Sequence, residues 1–96
     1  MVDMKMQLSE QVWQKANRAP DLDPEYFRLD EEGSVIKKAD FNNESSIYGW
    51  CFFHLRPVWD GGNDDIGNLK PLNVINKILF MAGNFNRISP ELEFWD

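Results

Sequence analysis

Apolar positions along the chain fall into stretches with different spacing. In residues 7–17 (QLSEQVWQKAN), Leu8, Val12 and Ala16 recur every four residues, with Trp13 beside them. This is the stripe of one amphipathic helix of about three turns. Ser9 is its expected cap, Pro20 its expected end, and Trp13 its core anchor. Residues 19–24 form a rigid connector. Its Asp23-Pro24 pair suits an N-cap and first helical position, so a single turn is expected through Glu25-Tyr26-Phe27. Glu31-Glu32-Gly33 then reads as a turn, and residues 28–38 as a β-hairpin in which Arg28 and Asp30 bond across. Phe41 is the expected plug of the turn-rich segment 40–46.

The central block, residues 49–77, carries a short apolar run (Trp50, Phe52, Phe53, Leu55, Val58) with the single histidine, His54. Pro57 and Gly61-Gly62 interrupt it, and a polar loop, Asn63-Asp64-Asp65, follows. After Asn68 the apolar positions Leu69, Leu72, Ile75, Ile78 and Leu79 take helical spacing, with Gly83-Asn84 as the expected stop. The pattern predicts a strand, a glycine-hinged loop and a helix. The tail, residues 84–96, is aromatic and acidic, and Phe94 and Trp95 are costly to leave in water.

At 96 residues the chain is expected to be one domain, 1–96, with a thin core. One cysteine, Cys51, excludes an internal disulfide and a Cys-only zinc site. No apolar run is long enough for a membrane span, and residues 1–5 lack the form of a secretion signal. No membrane partner is expected, and the expected compartment is the cytoplasm. Net charge is −6. Residues 1–48 hold 6 basic and 10 acidic groups, residues 49–87 hold 4 and 3, and residues 88–96 add 3 acidic ones. A grip on a phosphate backbone calls for a basic face, so direct nucleic-acid binding is disfavoured and a basic protein partner fits better.

Together, several short motifs resemble the HNH-type nuclease domains of small bacterial and phage proteins, the ββα-metal fold. They are Trp13-Gln14-Lys15, Asp23-Pro24, Arg28, Asp30, Gly33, Ile36, Gly49-Trp50, His54, Pro57-Val58, Gly61-Gly62, Asn68-Leu69 and Pro71-Leu72. The likeness runs without gaps from about Trp13 to Phe80, with its motif core at 49–80. It implies an α+β domain with an N-terminal helix and a short β-hairpin. It also implies that His54 is the general base on water, that Asn68 pins the loop, and that a divalent cation such as Mg²⁺ neutralises developing charge.

The expected metal-ligand positions depart from that pattern. Phe53 stands where the resemblance calls for Asp or His, Cys51 where an earlier carboxylate often stands, and Lys77 where a His or Asn should complete the site. A relocated site using Asp60, Asp64 or Asp65 with Asn73 and Asn76 is a weaker possibility. The resemblance and its gaps lead to one main expectation, a catalytically degenerate module with no cofactor. Such a module binds a basic or nucleic-acid-binding protein and acts as a nuclease inhibitor in phage or mobile-element counter-defence. Candidate binding residues are Trp59, Glu91, Glu93, Phe94 and Trp95. The alternative is an active metal-dependent endonuclease that cleaves DNA with His54 as base.

Overall fold

The structure, a computed structural model, describes residues 7–82. Within them the chain is α+β, with two helices and two antiparallel two-stranded sheets. In order these are α1 (Leu8–Trp13), β1 (Phe27–Leu29), β2 (Val35–Lys37), β3 (Trp50–His54), β4 (Leu69–Asn73) and α2 (Val74–Met81). The expected helical stop at Gly83-Asn84 and the tail with Glu91, Glu93, Phe94 and Trp95 lie outside the described residues.

Helix α1 is shorter than its stripe predicts. Gln7 rather than Ser9 takes the N-cap position, and no side chain caps it. The chain leaves the helix after Trp13 because Asn17 is drawn into a two-bond bridge with Leu29, at 2.9 and 2.8 Å. A helix continuing to Asn17 would tie up that backbone internally. The expected turn after Asp23 does form. The Asp23 carboxylate accepts from the Glu25 N–H at 2.9 Å, and its carbonyl accepts from Tyr26 and Phe27.

β1 and β2 make the expected hairpin, with Arg28 opposite Ile36 and Gly33 at φ +86° in the turn. The expected Arg28–Asp30 bond is not what these side chains do. Both are buried, and each serves a different part of the molecule. Arg28 donates to the carbonyls of Pro24, Trp13 and Gln14 and lies 5.5 Å over the Trp13 ring. Burial pushes its pKa down from the ordinary arginine value, with Arg18 adding to the effect.

The segment after Asn68 also departs from its helical spacing. Residues 69–73 form β4, paired antiparallel with β3, and the helix starts only at Val74. Asn73 caps it by accepting from the Ile75 N–H at 2.7 Å. Leu69 and Leu72 sit three apart, which fits a helix face, but each enters a different cluster. Leu69 joins Val12, Trp13, Ala16, Ile36 and Trp50, while Leu72 joins Cys51 and Val74. Strand β3 divides the same way, by the period of two that pleating imposes. Trp50 and Phe52 stack with Phe41, at ring separations of 4.7 and 5.0 Å, so Phe41 is a plug as expected. Cys51 and Phe53 face the cluster built on α2.

Candidate functional site

The chemistry-bearing residues gather on the β3–β4 connection, residues 55–68. Asn68 holds both ends of this loop. Its Oδ1 accepts from the Arg56 N–H at 2.7 Å, and its Nδ2 donates to the carbonyls of Arg56 (3.1 Å) and Asn63 (2.7 Å). The Asn68 carbonyl also accepts from the Leu55 N–H at 2.9 Å. An asparagine suits this position because one planar amide presents a donor pair and an acceptor together.

Gly62 lets the loop close. A Cβ there would lie 1.7 Å from the Arg56 carbonyl oxygen, so no other residue fits without moving backbone. Lys15 braces the loop from α1's side, donating to the carbonyls of Ile66 at 2.7 Å and Leu69 at 2.6 Å. The lysine of the Trp-x-Lys motif is therefore a strut for the loop. Nothing in its local sequence indicates a partner more than fifty residues away.

His54 ends β3 and is half-buried. Its Nε2 lies 2.7 Å from Asp64 Oδ1. A carboxylate accepts, so Nε2 carries the proton of this bond, and in the neutral form of the ring the lone pair lies on Nδ1. A loop carboxylate, rather than any core group, satisfies the ring.

The positions to which the resemblance assigns metal ligands hold no oxygen donor in its expected place. The Phe53 ring packs on Phe80 of α2 at 5.7 Å. Cys51 is buried, and its Sγ donates to the Leu72 carbonyl at 3.6 Å. Burial raises the thiol's pKa, partly opposed by the positive charge of Lys77. Aromatic carbon, a protonated thiol and an ammonium do not fit a hard divalent cation.

Of the substitute ligands, the two asparagines are committed elsewhere. Asn73 caps α2 and donates to the carbonyls of Val35 and Ile47, both at 3.0 Å. Asn76 donates to Asp30 and Ser34. Asp60 stands on a short turn with Arg56 4.0 Å away. Among the described residues, no three His, Cys, Asp or Glu side chains stand together as a group that would hold a metal.

The thiol gives a direct check. In the native chain Cys51 is expected to react with a disulfide reagent at least about tenfold more slowly than in urea, because it is covered and reluctant to ionise. Labelling of the folded protein at the free-thiol rate would contradict that packing.

One feature has no signal in the local sequence. Asp30, only 1% exposed, is the polar centre of the domain. Its partners lie in the hairpin turn, at the end of β4 and on α2. Trp59 was a candidate binding residue, and the structure leaves it 82% exposed on the loop. No helix of the described residues is long and apolar enough to cross a membrane. Comparison with protein-family models, with curated proteins and with solved structures yields no match.

Proposed function

We propose that this chain is a nuclease-like scaffold of the ββα-metal kind that acts by binding a macromolecule rather than by cutting one. Its partner is a basic protein, and its role is that of an inhibitor of a nuclease or another nucleic-acid-binding protein in phage or mobile-element conflict. The contact of Phe53 with Phe80 carries this reading. It fills with aromatic carbon the position where phosphodiester hydrolysis of this class would need a ligand for its cation. The order β3, loop, β4, α2 and the pinning of the loop by Asn68 support the scaffold. The net charge of −6 supports a basic protein over a phosphate backbone.

One observation favours the active alternative. Asp64 orients the His54 ring and leaves Nδ1 as a proton acceptor, a geometry that suits a general base. Supercoiled plasmid incubated with the protein and Mg²⁺, Mn²⁺ or Ni²⁺ separates the two. The expected result is no nicking above that of His54→Ala. Nicking that disappears in His54→Ala would replace the binding reading with the endonuclease.

A further inference from the structure

The loop is braced far beyond what joining two strands requires. Besides the Asn68 and Lys15 bonds, its interior closes on itself. Asp60 and Gly62 donate to the Pro57 carbonyl at 2.9 and 2.8 Å, and Gly61 donates to Val58 at 3.0 Å. The Arg56 side chain donates to the Asp60 carbonyl at 2.7 Å. These bonds set a short turn, Val58–Asp60, whose Trp59 points its indole into solvent while Val58 beside it is also exposed. Exposed tryptophan on a rigid support loses little freedom on binding, and tryptophan is the residue most often found as an interface anchor.

The surroundings are acidic. Asp60 and Asp64 are more than half exposed, Asp65 is exposed, and Arg56, the only cation in residues 55–68, lies beside Asp60. Such a rim repels phosphate and attracts lysine and arginine.

Resting on the binding reading above, we infer that this loop is the docking surface: Trp59 enters an apolar recess on the partner, and Asp60, Asp64 and Asp65 meet basic side chains around it. The occupant is thus a basic protein face with an apolar pocket or strip.

The probe is a displayed library of random peptides, selected on the full chain. The expected winners carry Lys or Arg flanking apolar residues, and their binding weakens as salt rises. Trp59→Ala is expected to lower their affinity about 30-fold, with Trp59→Phe recovering part of it. Asp60→Asn with Asp65→Asn is expected to weaken them severalfold and flatten the salt dependence. Trp59 lies outside the core, so Trp59→Ala should melt cooperatively near the parent temperature.

Winners that bind Trp59→Ala equally well, winners without basic residues, or no winners at all would overturn the docking surface. So would duplex DNA that binds through Trp59, which would make the loop a nucleic-acid face. These outcomes are separable from failure of the parent reading, which would show as His54-dependent nicking.

Discussion

Asp30→Ala is expected to destabilise the domain by about 3–5 kcal/mol, because four hydrogen-bond donors lose their charged acceptor. The carboxylate is fully buried and accepts four hydrogen bonds. Oδ1 takes the N–H groups of Glu32 (3.0 Å) and Ser34 (2.9 Å) in the hairpin turn. Oδ2 takes the N–H of Asn73 at 2.9 Å and the Asn76 amide at 2.8 Å. Alanine leaves these donors facing a void, and each buried donor without a partner costs about 1–3 kcal/mol. A domain this small holds only about 5–15 kcal/mol in total. Asp30→Asn is close in shape and should also fail. Its NH₂ must face either the two turn amides or the two donors from β4 and α2, and donor against donor repels. Urea unfolding followed by circular dichroism checks both variants. A loss below about 1 kcal/mol for Asp30→Ala would mean that the carboxylate does not hold the hairpin to β4 and α2.

The second large effect is expected at Trp13. Trp13→Ala should cost about 3–5 kcal/mol, the usual range for emptying a buried aromatic site. The ring is fully buried, 5.4 Å from Trp50, and its Nε1 donates to the Pro24 carbonyl at 3.2 Å. It also forms the face over which the buried Arg28 guanidinium lies. Removing the ring opens a cavity and takes away one of the surfaces that compensate a desolvated cation. Trp13→Phe keeps most of the volume and should cost less, about 1–2 kcal/mol, through loss of the indole N–H bond and a small void. Comparing the two by urea midpoint separates ring volume from the hydrogen bond. Equal losses in both variants would assign the whole effect to the Pro24 contact.

These two residues illustrate what the motif residues of this chain do in the fold. Trp13, Lys15, Asp23-Pro24, Arg28, Asp30, Gly62 and Asn68 are among the residues that resemble HNH-type domains. In the structure each one positions backbone. Lys15 and Asn68 hold the loop, Arg28 ties the connector to α1, and Asp30 ties the hairpin to β4 and α2. The residues that differ from the pattern, Cys51 and Phe53, lie instead on the α2 side of β3 in an apolar cluster. Of the motif residues, Leu72 shares that cluster with Cys51.

Local reading succeeded where the determinant was local. The turn at Asp23, the hairpin with Gly33, the strand carrying His54 and the core place of Trp13 each follow from spacing or turn chemistry within a few residues. It failed where two periods coincide. Residues 69–73 carry leucines three apart, which a helix face shares with a strand whose ends enter different clusters. Only pairing with β3 distinguishes the two.

The chain's own residues were enough to set its hydrophobic anchors, its turns, its acidic balance and the absence of an oxygen-donor side chain at positions 51, 53 and 77, because these depend on residue identity and near neighbours. Tertiary structure alone decided that Asp30 is a buried hub rather than a surface partner of Arg28, that α1 ends at Trp13, and that Lys15 supports a loop far along the chain. It also decided that Trp59 stands on a braced turn. The reason is that hydrogen bonds to backbone groups carry no residue signature: a carbonyl more than fifty positions away looks like any other until the fold brings it within 3 Å.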